Sequence, residues 1–358
     1  MRVYNFAAGP AMLPLPVMEQ VRAELTDWQG RGMSVMELSH RSKAFMACAA
    51  EATADLRELL AVPANYQVLF MQGGATAQFA AIPLNLAGPE ATADYVNTGA
   101  WAAKAIAEAK RFCRINAAAD AAASHYTTVP PQAEWRVSPQ SAYLHYTANE
   151  TIGGVEFPFV PEVSAPLVAD MSSNILSRPI DVNRFGLIYA SAQKNIGPAG
   201  LSVVIVRDDL LGKARPSTPA VLDYQMTAKE GSMLNTPPTF AWYVAGLVFK
   251  WMKREGGLKV IGERNRAKAA KLYRAIDDSG FYRNPVAPLC RSWMNVPFVL
   301  ERPELELQFL GEAGRAGLAN LEGHRSVGGM RASLYNAMPE EGVDALIEFM
   351  RDFARRNA

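Results

Sequence analysis

Short apolar runs alternate with stretches of helical period along much of the chain, and few folds can use that alternation. Val68–Met71, Asp94–Asn97, Tyr143–Tyr146, Pro166–Ala169, Leu187–Ala190 and Val203–Val206 are each short enough for a buried strand. Among the helical stretches, Val17, Val21, Leu25 and Trp28 recur at helical spacing before Gly30. Ser42 stands where it can cap a second helix with Phe45, Ala49, Ala52, Leu56 and Leu59 on one face. Another helical pattern follows Phe79, and one runs from about Trp101 to Phe112. This order predicts an α/β chain built on a mostly parallel sheet covered by helices. Ligands in such sheets gather at the carboxyl ends of the strands.

Near Thr239 the pattern changes. Phe240–Lys253 reads as a long aromatic helix and Leu258–Ile276 as an amphipathic one, followed by a strand over Arg291–Leu300. A helix over Glu304–Ala316, a strand over Gly329–Tyr335 and a closing helix over Val343–Arg355 complete a smaller α+β unit. The expected division is a large unit over 16–255 and a small one made of 1–15 and 256–358. A length of 358 residues, 49% hydrophobic and 20% charged, suits two folded units rather than disorder. A net charge of +1 points to neither nucleic acid nor an anionic membrane, so anion binding must come from local clusters. Cys48, Cys113 and Cys290 have no paired spacing, which argues against a disulfide framework or a zinc site and suits the reducing cytoplasm. The stretch Met1–Pro16 is interrupted by Gly9, Pro10 and Pro14 and lacks the apolar centre of a signal peptide.

Chemistry concentrates in Phe185–Gly200. Its apolar run leads through small residues to Lys194 and closes on a turn rich in Gly and Pro. A lysine is usually a solvated charge, but one held near apolar walls loses part of its preference for the charged form and becomes a nucleophile towards carbonyls. Asp170 ends another strand; it can be an ordinary cap, or a carboxylate that keeps a heterocyclic nitrogen protonated. Trp101 follows the Tyr95–Gly99 strand end as core packing or as a stacking platform. Thr151 can be a plain turn hydroxyl. The Gly73-Gly74 turn, between a strand and a helix start, offers backbone N–H groups to a phosphate but lacks a nucleotide-binding spacing. Pyridoxal 5'-phosphate needs an amine, a pyridinium partner, a phosphate cradle and a stacking face, and these residues supply one of each.

The run Ser191-Ala-Gln-Lys-Asn-Ile-Gly-Pro-Ala-Gly200 resembles the cofactor-lysine signature of the class V aminotransferases. The resemblance continues in Asn5–Pro10, Ser34–Arg41, Asn149-Glu-Thr151, Asp170-Met-Ser-Ser173, Asn235-Thr-Pro-Pro238 and Gly323–Asn336, nearly the full length. It implies the fold type I of pyridoxal-phosphate-dependent transferases, with a seven-stranded sheet in the large domain. It implies that Lys194 bonds covalently to the cofactor aldehyde, that Asp170 pairs with the ring nitrogen, and that Trp101 stacks on the ring. Thr151 would hydrogen-bond the ring hydroxyl, while Ala75, Thr76 and Gln193 would hold the phosphate, joined by Asn235 and Thr236 from the second subunit of a homodimer. Arg331 would clamp the substrate α-carboxylate, a task suited to guanidinium. Some relatives carry Arg where this chain has Thr76, and serines where it has Ala7-Ala8.

The His-Arg pairs His40-Arg41 and His324-Arg325 use half of the four histidines. Unplaced, they read as coincidence; through the resemblance each faces the substrate side chain, where clustered cations favour a phosphate. The implied reaction is ping-pong transfer of the amino group of L-glutamate to 3-phosphohydroxypyruvate, giving 2-oxoglutarate and O-phospho-L-serine. In it Lys194 is the general base and the pathway is serine biosynthesis. Some relatives also form 4-phosphooxy-L-threonine for pyridoxine biosynthesis. Three other readings ask for features this sequence lacks. A cysteine desulfurase needs an activated thiol, which neither Cys113 nor Cys290 suggests. A cofactor-binding regulator needs an appended DNA-binding domain, and a nicotinamide dehydrogenase needs a different glycine spacing.

Overall fold

A computed structural model describes residues 2–357, which leaves Met1 and Ala358, the outer ends of the expected small unit, outside the described residues. The strands are β1 (Tyr4–Asn5), β2 (Tyr66–Met71), β3 (Thr92–Asn97), β4 (Arg114–Asp120), β5 (Leu144–Thr147), β6 (Leu167–Asp170), β7 (Leu187–Ser191) and β8 (Ser202–Arg207). Further along come β9 (Tyr282–Arg283), β10 (Asn295–Leu300), β11 (Leu318–Ala319) and β12 (Met330–Ser333). The helices are α1 (Leu15–Glu24), α2 (Lys43–Leu59), α3 (Gly74–Leu86), α4 (Ala100–Ala109), α5 (Tyr224–Lys229) and α6 (Thr239–Arg254). The last three are α7 (Gly257–Asp277), α8 (Glu306–Arg315) and α9 (Glu340–Asn357).

Seven strands form the central sheet in the order β2-β8-β7-β6-β5-β3-β4. The pairs from β7 through β6, β5 and β3 to β4 are parallel, and only β8 opposes both its neighbours. The mostly parallel, helix-covered sheet expected from the alternation is what forms. Successive residues of each strand face opposite sides. Thus Leu187 and Tyr189 of β7 join the cluster under α3 and α4, while Ile188 and Ala190 join the one under α2 and α6. Burial on both faces explains why these strands read as unbroken apolar runs. Ser42 caps α2 as its position implies, its Oγ accepting from the Phe45 N–H at 3.2 Å.

Three expectations are corrected. α1 stops at Glu24 rather than continuing to Trp28, which sits on a separate short turn where Gln29 adopts φ 56°. β4 lies outside the strands expected from the apolar runs; alanine gives little strand signal, and the strand is held as the edge partner of β3. The strand expected from Arg291 begins at Asn295, because Ser292 Oγ accepts from the N–H groups of Met294 and Asn295 and makes a turn there.

A second apolar cluster gathers Phe6 with β10, β12 and one face each of α7, α8 and α9. β1 pairs with β11, which brings the start of the chain beside this cluster. Lys268 of α7 is wholly buried and donates to the carbonyls of Leu334, Tyr335 and Met338 at 3.2, 3.0 and 2.9 Å. Those carbonyls flank Asn336, whose N–H donates to Asn195 Oδ1 at 3.0 Å, next to Lys194 in the chain. Lys268→Met would leave three buried acceptors without a donor. A buried orphan costs about 1–3 kcal/mol, so a loss of about 3–5 kcal/mol is expected in urea unfolding. A midpoint within experimental error of the unsubstituted protein would show that water replaces the ammonium.

Candidate active site

The carboxyl ends of three adjacent parallel strands close on Thr147, Asp170 and Ser191. Beside them α3 and α4 begin directly after β2 and β3, so two helix N-termini point at the same spot. One cavity there is lined by Ala75, Thr76, Trp101, Thr151, Asp170, Gln193 and Lys194, together with Thr147, Asn149, Ser172 and Ser191. Gly73 and Gly74 carry the chain round the α3 start at positive φ, and a Cβ on Gly73 would stand 2.5 Å from that of Ala77. The Ala75 N–H donates to Ser191 Oγ at 2.6 Å, so β7 supplies the acceptor that orders this cradle.

Lys194 lies in the wall, its Nζ donating to Thr151 Oγ1 at 2.6 Å and Ser173 Oγ at 2.8 Å. Burial pushes its pKa down to about 8, against the pull of the Asp170 and Glu150 charges. Asp170 accepts from the Ser172 N–H at 2.9 Å; burial raises its pKa, while Ser172 and the Lys194 charge oppose the rise. The Trp101 Nε1 and Thr147 Oγ1 atoms are buried without a partner. Arg331 reaches the Thr151 carbonyl from β12 at 3.4 Å, with its Nε also unpartnered. His324 is fixed by Ser326 Oγ at 2.7 Å from Nδ1, and Arg325 beside it is exposed.

Residues the sequence left without a role complete the frame. The Glu150 carboxylate is buried and accepts from the N–H groups of Trp101 (3.0 Å) and Ala102 (2.8 Å), capping α4 and fixing the indole. A Cβ on Gly99 would come within 2.7 Å of Glu150 Cδ, so glycine is needed for this approach. Burial lifts the Glu150 pKa to about 7 despite these two donors. Ser173 and Ser191 were likewise unassigned. Both lie in stretches that resemble the family, but their partners are distant in sequence. The Gly9 backbone, also in such a motif, packs so that a Cβ there would stand 3.3 Å from Gln193 Cγ.

Seven residues singled out from the sequence do not line this cavity: Arg331, His324, Arg325, Asn235, Thr236, His40 and Arg41. Asn235 and Thr236 are exposed and tied to Gln72, through Asn235 Nδ2 to Gln72 Oε1 at 3.3 Å and Gln72 Nε2 to the Thr236 carbonyl at 3.1 Å. His40 has an unpartnered buried Nε2, and Arg41 is exposed. A larger cleft near Phe157 and Trp293 lies elsewhere, and its cations are already paired, Arg178 with Glu156 and Arg291 with Asp277. Among the described residues no cluster could hold a metal ion, and no helix is long and apolar enough to cross a membrane.

The family model for "Aminotransferase class-V" matches residues 3–346. The chain is 61% identical to a phosphoserine aminotransferase of Hahella chejuensis over 358 residues, covering 100% of this chain and 99% of that protein. It is 61% identical to one from Acidithiobacillus ferrooxidans over 357 residues, 99% of each chain. Among solved structures, phosphoserine aminotransferase from Bacillus circulans subsp. alkalophilus superposes with a TM-score of 0.98 at 49% identity, covering 100% and 99% of the two chains. A phosphoserine aminotransferase from Trichomonas vaginalis, solved with PLP bound, gives 0.94 at 45% identity, covering 98% and 100%. The chain belongs to the class-V aminotransferase family and is an aminotransferase.

The residues present fit pyridoxal 5'-phosphate. A buried amine of lowered pKa faces a strand-end carboxylate, a helix start flanked by positive-φ glycines leaves backbone donors, and an indole with a free N–H stands alongside.

Proposed function

We propose that this chain transfers the amino group of L-glutamate to 3-phosphohydroxypyruvate, giving O-phospho-L-serine and 2-oxoglutarate, with pyridoxal 5'-phosphate held at Lys194. The observation that carries the reading is the Lys194 amine itself, buried between Thr151 and Ser173 at the strand ends that also present Asp170. The phosphoserine aminotransferases to which the chain is similar supply the substrate class. When bound, the cofactor supplies a carbonyl that accepts amino groups and an electron-withdrawing ring.

Ala75, Thr76 and Gln193 would hold the cofactor phosphate at the α3 start, with Trp101 and Thr151 placed to hold its ring. Asp170 would keep a proton on the ring nitrogen, a task for which its buried carboxylate has little competition from water. Lys194 Nζ would take the proton from the substrate α-carbon and hold it as an ammonium for return to the reacting centre. Its lowered pKa leaves a useful fraction of free amine near neutral pH. Arg331 orients the α-carboxylate, and His324 with Arg325 accepts the distal anionic group. His40, Arg41, Asn235 and Thr236 belong to the site of the second protomer in a homodimer, which agrees with their standing outside this chain's own cavity. The exposed Met18, Leu25, Met33, Met36 and Met46 offer that protomer an apolar face. The same reading keeps the division into 16–255 and 1–15 with 256–358. It also places the enzyme in the cytoplasm, where three unpaired thiols are at home.

The test is to supply glutamate as donor with phosphohydroxypyruvate, oxaloacetate or pyruvate as acceptor. Phosphohydroxypyruvate is expected to dominate kcat/KM by about 10²-fold or more, since a site built for a phosphate leaves its cations unpaired without one. Equal use of pyruvate would overturn the substrate assignment. A second expectation follows from the amine. Only free amine attacks a carbonyl, so the rate at which apoprotein takes up pyridoxal 5'-phosphate rises with pH. The half-point is expected near the Lys194 pKa of about 8. A half-point near the ordinary lysine value, read from visible absorbance, would show that Lys194 is not the acceptor.

A further inference from the structure

Trp101 carries a second cation besides Lys194. Lys104, one turn further along α4, sets its Nζ 4.2 Å from the indole centroid, whereas Lys194 Nζ stands at 5.9 Å. Among the described residues Lys104 pairs with no carboxylate, and it is exposed. Burial, and then the charges of Arg331, Arg325 and Lys104 in that order, keep the His324 imidazole below its usual pKa. Lys104 therefore comes from the α4 side to a cluster whose other members come from β12 and the loop before it. Cations brought from separate elements to one imidazole favour an incoming anion, and a dianion more than a monoanion.

We propose that Lys104 is a specificity-determining residue whose ammonium, guided along the Trp101 face, contacts the phosphate of the amino acceptor. The inference rests on the function proposed above and adds to it a fourth anion-binding group from the same chain, beside Arg331, His324 and Arg325. A phosphate presents more acceptor oxygens and more charge than the γ-carboxylate of glutamate, so losing one cation weakens the phosphorylated substrate more.

The experiment uses holoenzyme with Lys104→Met, which keeps length and removes charge, and Lys104→Arg, which keeps charge. The Met variant is expected to raise KM for phosphohydroxypyruvate about tenfold and KM for glutamate at most about threefold, with inhibition by inorganic phosphate weakened in step. Arg is expected to restore most of the difference. Equal shifts for both substrates, a loss confined to kcat, or no recovery with Arg would make Lys104 only packing for Trp101 and overturn the proposal. If unsubstituted enzyme fails to aminate phosphohydroxypyruvate, the functional reading falls separately. Inorganic phosphate inhibition of the glutamate half-reaction then still reads Lys104: the same inhibition constant in the Met variant overturns its role, and a weakened one supports the anion contact.

Discussion

Lys194→Ala is expected to reduce amino transfer by about 10⁴-fold, the upper range for removing a positioned general base, while leaving the protein folded. The fold should survive because of what the amine leaves behind. Thr151 Oγ1 and Ser173 Oγ already lie 2.6 Å apart, so each hydroxyl keeps a partner when Nζ is gone. A buried cation whose pKa has fallen to about 8 is also one that the folded state disfavours, so its removal relieves a desolvation cost. Thermal unfolding near pH 7 should therefore show an unchanged or slightly higher midpoint. The pH dependence has a definite sign. Between about 8 and the ordinary lysine value near 10.5, the unfolded chain binds a proton at residue 194 that the native chain does not, so this residue's contribution to stability grows as pH rises. In the Ala variant that rise should disappear. Borohydride reduction of holoenzyme followed by peptide mapping should place the label on residue 194, and the variant should carry none. Near-normal activity, or a label at another lysine, would sink the assignment of Lys194.

Much of this arrangement could be read from the chain because strands and helix starts leave local marks. β5, β6 and β7 are buried on both faces, so each appears as an apolar run, and the residue where the run gives out is the one presented to a ligand. Asp170 and Lys194 stood out for that reason. Trp101 and the Gly73-Gly74 turn stood out because a helix starts there. What was not legible depends on distance through space. Nothing near Glu150 announces that its carboxylate will cap a helix 48 and 49 residues upstream. Ser191 could not be matched with Ala75 across 116 residues, nor Lys268 with carbonyls 66 to 70 residues on. β4 escaped because alanines carry no period, and the end of α1 was misplaced because Leu25, although at helical spacing, is largely exposed. His40, Arg41, Asn235 and Thr236 are a different case. Their motifs are specific, yet their side chains do not line this chain's own cavity.

Asp170 offers the other large effect, and its two replacements separate shape from charge. Asp170→Asn keeps the volume and can still accept from the Ser172 N–H, so a folded protein with a filled cavity is expected. It cannot hold a proton on a ring nitrogen by charge, because an amide has none to offer. Losing a preorganised electrostatic partner of this kind costs about 10²–10³-fold in kcat. Asp170→Ala should lose as much and also bind cofactor more weakly, since it leaves a cavity where a carboxylate had been. The charge of Lys194 pulls the Asp170 pKa down and that of Asp170 pulls the lysine up, so the pair is coupled. Removing the carboxylate should move the half-point for cofactor uptake below about 8, the value that burial and the two acids now set for Lys194. Rate, cofactor affinity and that half-point are three separate readouts. If Asn alone restores normal kcat, the carboxylate acts only as filler; if the half-point stays where it is, Asp170 and Lys194 do not share a field.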